Sequence, residues 1–289
     1  MEKQNSPLVK MAHFLFVVGF LGGICLPLQT VSAAPLFIVN PAAEEYMLNE
    51  LIANGYADLA LAFPDENQRV VSADFFLSVL NNPEIQNKKS IYIANTTIDG
   101  VVDASGSNIP YTIFLNVMVF TDSVFLSNSV LTSVTILDSV FQQSIEFQNI
   151  KADDLDLRNN IFQHGINLYA AQIGELTLVD SQILGTEPMR EGIPFPSEFR
   201  RMTVSSNANF NGTFFEGLAS FEESEFQTLE MWGTQFAGDA NFSKVLIDRS
   251  GTFVGTQFLK NANFDQTNFG DATFETATFT GEANFSKVL

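Results

Sequence analysis

Residues able to do chemistry are few in this chain, and their spacing assembles none of the familiar constellations. Of its two histidines, His13 sits in an apolar N-terminal run. His164 stands two residues after Phe162, with no cysteine and no acid–base partner in its pattern. A lone outward imidazole reads as a surface residue rather than a general base. No Ser-His-Asp set, phosphate-cradling glycine loop or metal-ligand histidine spacing occurs. Carboxylates are the abundant functional group. Asp153-Asp154-Leu155-Asp156 and Glu222-Glu223-Ser224-Glu225 could hold calcium through outward oxygens, and Asp99-Gly100 with Asp103 could form a turn site. None follows an EF-hand or a glycine-aspartate nonapeptide pattern. The simpler reading is solvated charge that keeps a surface soluble and its edges unpaired. Asn95-Thr96-Thr97, Asn211-Gly212-Thr213 and Asn241-Phe242-Ser243 match the N-glycosylation sequon. No catalytic, cofactor-binding or metal residue is assigned, and no cofactor is expected.

Charge narrows the partners. At a formal −19 the chain is a poor match for nucleic-acid backbones or anionic membranes, and a good one for a cationic protein surface. The single cysteine, Cys25, lies inside the N-terminal apolar run, so a chain without that run has no thiol for disulfide, zinc or nucleophile chemistry. Lys3 and Lys10 precede an apolar core from Phe14 to Leu28, and Val31-Ser32-Ala33 supplies the small residues of an A-x-A-like cleavage site. Residues 1–33 therefore read as a secretory signal, which makes the chain exported, periplasmic or extracellular. The alternative is an uncleaved anchor, although the core falls short of the roughly 20 residues a spanning helix needs.

The elements that would position any site come in two kinds. Residues 34–90 read as a small α-helical region. Asn40-Pro41 is an N-cap and first helical position, Glu44 and Glu45 suit the positive helix end, and Asn54-Gly55 is a left-handed stop. Leu48, Leu51 and Ile52 should form its apolar face. A second helix is expected from Ser72, burying Phe75, Phe76, Val79 and Leu80 and ending before Asn81-Asn82-Pro83. The stretch from Ala57 to Phe63 is too short to assign. Two short helices cannot make a core of their own, so their expected role is to cap the open end of a repeat array that starts near Ile91.

From Ile91 onward a large apolar residue returns every fifth, occasionally sixth, position, a period that neither helix nor ordinary strand requires. The ladder runs through Phe120, Leu126, Leu131, Ile136, Phe141 and Phe147, and ends as an almost pure phenylalanine series from Phe210 to Phe285. A second inward set lies two residues earlier and is smaller, as in Ala208, Thr213, Ala219, Ser224 and Thr234. Small residues there would let neighbouring coils close around the rings at interior packing density.

The pattern Ala208-Asn209-Phe210, Ala240-Asn241-Phe242, Ala262-Asn263-Phe264 and Ala283-Asn284-Phe285 resembles the pentapeptide-repeat family, in its phenylalanine-rich, often exported subtype. The resemblance covers about residues 91–289 with one break. It implies an all-β fold: a right-handed, four-sided parallel β-helix with one pentapeptide per side. The six-residue steps support four sides independently. They land on Phe221, Phe242, Phe264 and Phe285, and earlier on Leu126, Phe147 and Leu168, at intervals of four pentads plus one or two residues. The columns Phe221/Phe242/Phe264/Phe285, Phe226/Ile247/Phe269, Met231/Phe253/Phe274 and Phe236/Phe258/Phe279 should therefore stack. About eight coils at roughly 4.8 Å give a rod near 40 Å long.

A loop at about 185–207 should interrupt the coil and carry Arg190, Arg200 and Arg201, either as a tolerated insertion or as a basic contact point. Ala283–Leu289 repeats Ala240–Leu246 residue for residue, which would leave an uncapped stack able to associate end to end, or a chain cut short. Three functions fit these observations. The first is a non-enzymatic exported scaffold or protein-binding module presenting an acidic rod to a protein partner of unknown identity. The second, implied by the family's gyrase-protecting branch, is a DNA-mimic protector of a DNA-binding enzyme, which the export signal opposes. The third is an enzyme with its site in the helical region or the loop.

Overall fold

The computed structural model describes residues 37–185 and 197–289, with the backbone of 188–189 and 193–194. The expected signal segment and Arg190 lie outside the described residues.

Capping chemistry sets the first helices. Asn40 accepts the amide of Ala42 at 3.1 Å, and Gly55 at φ 71° ends helix α1, Pro41–Asn54. The buried stripe is Ala43, Met47 and Leu51, spaced four apart, while Leu48 and Ile52 are only half-buried beside it. The buried face is thus rotated by part of a turn from the expected one. Within Ala57–Phe63, which the sequence does not assign, lie most of a three-residue strand β1, Tyr56–Asp58, and a single helical turn α2, Leu59–Ala62. After strand β2, Val70–Ser72, the Ser72 hydroxyl caps helix α3, Ala73–Leu80, by accepting the Phe75 amide. Glu44 ties the two longer helices together by accepting both the amide and the hydroxyl of Ser72, at 2.9 and 2.7 Å. Helix α3 buries Phe76, Val79 and Leu80 but leaves Phe75 half-buried.

β1 and β2 both pair in parallel with strand β3, Ser90–Asp99, one against each half of it. The N-terminal region is therefore not helical throughout. Its two short strands cover the exposed edge of the first coil with hydrogen bonds as well as apolar surface. Three-residue strands carry no readable period, so only the paired structure reveals them.

From β3 onward the chain is a parallel β-solenoid of about nine turns, one more than the sequence count. The extra turn is the first, whose inward residues Val102 and Ala104 are too small to register as rungs. The columns stack as the six-residue steps require. Ring centroids in the series Phe199–Phe221–Phe242–Phe264–Phe285 are 4.7, 4.7, 5.0 and 4.8 Å apart, with interplanar angles of 7° or less. Those separations equal the inter-strand spacing of a sheet, so ring stacking and backbone pairing share one repeat. We name the faces by their columns: the first by Leu131, Ala152, Ile173, Val204, Phe226 and Ile247; the second by Ile136, Leu157, Met231 and Phe253; the third by Phe141, Phe162, Phe236 and Phe258; and the fourth by the Phe221–Phe242 series.

The extra residue of each turn sits at the corner between the third and fourth faces. There Gly238 lies so close to the Gly217 carbonyl in the neighbouring coil that a Cβ would overlap backbone. Turns longer by one further residue carry it on the first face, where register shifts occur next to Ile109, Val204 and Ile247.

The interruption is shorter than expected. The coil resumes at Ser197–Glu198, which pairs with Ala219–Ser220, and Phe199 stacks on Phe221. Arg200 and Arg201 therefore occupy a regular corner of the solenoid, not a loop. Proline and charge around residue 190 hide the return of the register, which depends on one ring at Phe199. At the far end burial fades: Phe269, Phe274 and Phe279 are half-buried and Phe285 is 42% exposed.

The phenol of Tyr111, beside the first of these register shifts, donates to the Leu80 carbonyl at 2.9 Å and so fastens α3 to the coil. Tyr111→Phe is expected to lower stability by about 1–2 kcal/mol in a urea melt, because it orphans that carbonyl while keeping the ring. Burial pushes the Tyr111 phenol up to about 12. A raised folded value means this contribution is intact below the unfolded value near 10 and is lost as pH climbs through about 12. The variant should therefore show a flatter alkaline decline than the parent.

Candidate functional site

Two kinds of inward position flank each ring column, and they differ chemically. Along the corner leading into the third face stand Ser139, Asn160, Ser181, Thr213, Thr234 and Thr256, all buried. Each of these corners holds one residue at positive φ, such as Asp138, Asn159, Asp180, Gly212, Gly233 and Gly255. A turn of this kind leaves a carbonyl pointing into the interior, which must find a donor. The side chains supply it from the adjacent coil. Asn160 Nδ2 donates to Ile136 O at 2.7 Å, Ser181 Oγ to Leu157 O at 2.7 Å, Thr234 Oγ1 to Phe210 O at 2.8 Å and Thr256 Oγ1 to Met231 O at 2.6 Å. The corner after the fourth face repeats the device with Ser129, Ser224 and Thr267. These residues are small for packing, but hydroxylated or amidated because a carbonyl needs them. The alternation Ala208, Thr213, Ala219, Ser224 in the sequence carries that signal. Among the described residues no buried side-chain polar atom lacks a partner.

Outward positions hold the charge, and the faces differ. On the fourth face Arg200, Arg201 and Lys244 are paired. Arg200 Nε lies 2.7 Å from Glu198 Oε1, and its guanidinium sits over the Tyr169 ring at 5.7 Å. Arg201 Nε reaches Glu223 Oε2 at 2.9 Å, and its Nη1 donates to the Tyr169 hydroxyl at 3.0 Å. Lys244 Nζ meets the other Glu223 oxygen at 2.9 Å. Arg201, Glu223 and Lys244 thus form an alternating ladder up one corner. Hydrogen bonds from Lys244 and Arg201 hold the Glu223 carboxyl below its ordinary value.

The first and second faces carry Asp153, Asp154, Glu175, Glu225, Asp248, Asp271 and Glu275 with no ion pair among the described residues; here Asp156 is bridged by Arg158 at 2.6 Å. Burial raises Asp154, against a stabilising bond from the Ser133 hydroxyl, and the neighbouring Asp156 charge adds to the rise. Lys151 and Arg249 are the other cations of these two faces among the described residues.

The remaining sequence candidates are accounted for by local structure. Asp99 accepts the Thr121 hydroxyl at 3.1 Å, and Asp103 accepts the Ser105 amide at 3.1 Å, whose bonds hold it below the ordinary carboxylate value. Among the described residues no group of three or more His, Cys, Asp or Glu is placed to hold a metal. His164 is half-buried at the corner where the coil is interrupted, in a bridge with Gly185. The sequon amides are engaged: Asn95 with Asp58, Asn211 with Glu230 and the Trp232 amide, and Asn241 with Asn263 in an asparagine ladder that continues to Asn284. Two exposed aromatic features escape a reading of the periodicity: Trp232, 58% exposed on the second face, and the external stack of Tyr56 on Tyr92 at 4.9 Å.

These features define a class: a four-sided β-solenoid with stacked side chains inside and its charged side chains on the outer faces. Residues 199–246 match the family model for pentapeptide repeats in nine copies. That match supports a pentapeptide-repeat protein, and the same columns continue on both sides of the matched segment. Neither the curated proteins nor the solved structures contain a match to it. Among the described residues no helix is long and apolar enough to cross a membrane.

Proposed function

We propose that this repeat scaffold is a non-enzymatic, exported binding module that receives a cationic protein surface on its first and second faces. The observation that carries the reading is the division of charge. Arg200, Arg201 and Lys244 on the fourth face are paired with Glu198, Glu222 and Glu223, whereas most carboxylates of the first and second faces have no such partners. Unpaired charge of one sign steers association, and a rigid parallel sheet fixes its spacing. Fold by itself does not imply function, so the claim rests on these side chains.

Immobilised polylysine serves as the cationic probe. Neutralising Asp153, Glu175, Glu225, Asp248 and Asp271 together should lower the salt needed for elution more than neutralising Asp103, Glu198, Glu222, Glu223 and Asp265 on the fourth face. Equal shifts from the two sets would sink the assignment of faces. Export is checked by the N-terminus of the secreted chain: a start at Ala34 supports cleavage after Ala33, and retention of Met1 in the cytoplasm opposes it.

A further inference from the structure

We propose that the interior of the first solenoid turns is a binding site for a small apolar guest of monatomic or diatomic size, such as xenon or dioxygen. A void of about 40 Å³ lies beneath α3, walled by Phe76 and Leu80 of that helix and by Ala104, Val124, Leu131 and Phe120 of the coil. Its cause is readable in the columns. Where later turns of the fourth face place Phe199, Phe221 and Phe242, the first two turns place Ala104 and Leu126, and aliphatic side chains replace rings opposite them. The burial values agree independently. Ile109, Ile113, Leu115, Val124 and Val134 each keep 4–5% exposure, while Phe215, Phe236, Phe253 and Phe264 keep none.

Chemistry and size select the guest. Every residue lining the void is apolar, so water, which needs two to four polar partners there, gains nothing by entering. The volume is above the ~10–15 Å³ that a single water needs and about a quarter of the ~150 Å³ of a cavity that admits benzene. The site therefore takes compact, polarisable species and rejects rings. Dispersion contacts now missing from its walls would be restored by such a guest.

Xenon is the probe. Under xenon pressure, methyl resonances of Ile109, Leu131 and Val134 should shift and saturate, while those of Val245 and Ile247 in the ring-packed turns stay still. The melting midpoint should rise by roughly 1 °C at half-saturation, and benzene should do neither. Ala104→Leu fills the void from its own wall, and it should keep or raise the melting midpoint while abolishing the xenon shifts. If that variant does not fold, Val124→Leu tests the same point from the neighbouring turn. Non-saturating shifts, shifts spread equally along the coil, or full xenon response in a folded filled variant would overturn the site.

Discussion

Phe242→Ala is expected to cost about 3–5 kcal/mol of stability, read as a lowered urea midpoint. The ring is 1% exposed and lies between Phe221 and Phe264 at 4.7 and 5.0 Å. It also meets Phe236, Phe253 and Phe258 edge-on at 5.7–6.3 Å. Two things make the loss large. The transfer energy of the ring disappears, and the coils above and below are held apart by their own backbone hydrogen bonds, so they cannot collapse into the gap. In a stack where each turn touches only its neighbours, the same change also weakens coupling between the two halves, and the transition should broaden. Phe285→Ala is the control. Its ring is 42% exposed on the last turn and stacks on one side only, against Phe264 at 4.8 Å, so its loss should cost under about 2 kcal/mol. Equal costs at the two positions would contradict this picture of the packing.

Asn160→Ala should cost a similar amount, about 3–5 kcal/mol, for a different reason. The side chain donates to Ile136 O at 2.7 Å and accepts the Ser139 amide at 2.9 Å. Removing it orphans a buried carbonyl and a buried amide, each penalised by about 1–3 kcal/mol, and leaves a small void. Asn160→Ser is the informative partner. Its neighbours in the column are Ser139 and Ser181, and Ser181 already bonds Leu157 O and receives the Asn160 amide in the equivalent geometry. A serine at 160 can make the same pair of bonds, so most of the loss should be recovered. If alanine and serine behave alike, the position is about volume and not about the turn carbonyl.

These two positions show how unevenly the structure is written in the sequence. Phe242 announces itself, because a ring every fifth residue has no other use and the six-residue steps fix which rings stack. Asn160 reads only as an odd member of a small-residue set. Its purpose depends on a carbonyl at Ile136, one coil away, turned inward by the positive φ of Asp138. The helix caps at Asn40 and Ser72 are equally legible, being contacts within three residues. Strands β1 and β2 are not, since three residues hold no period and their partners lie in β3. Arg200 and Arg201 escape a loop-based reading for the same reason: their corner is defined by Phe199 stacking on Phe221, a contact between different coils.

The division of charge is a further step removed. Sequence supplies the number of carboxylates and the −19 total. Which are neutralised depends on which corner each occupies once the coil closes, as with Glu223 caught between Arg201 and Lys244. By itself, then, the sequence determined the coil: its period, its four columns and the length of its turns, because those follow from local repetition of side-chain size. Tertiary structure alone decided where the coil resumes after its interruption, which polar side chains serve inward carbonyls, where the core is underfilled and which faces keep their charge. Each of these is a relation between residues a full turn apart in the chain, brought to within about 5 Å by parallel stacking, and no window of neighbouring residues contains it.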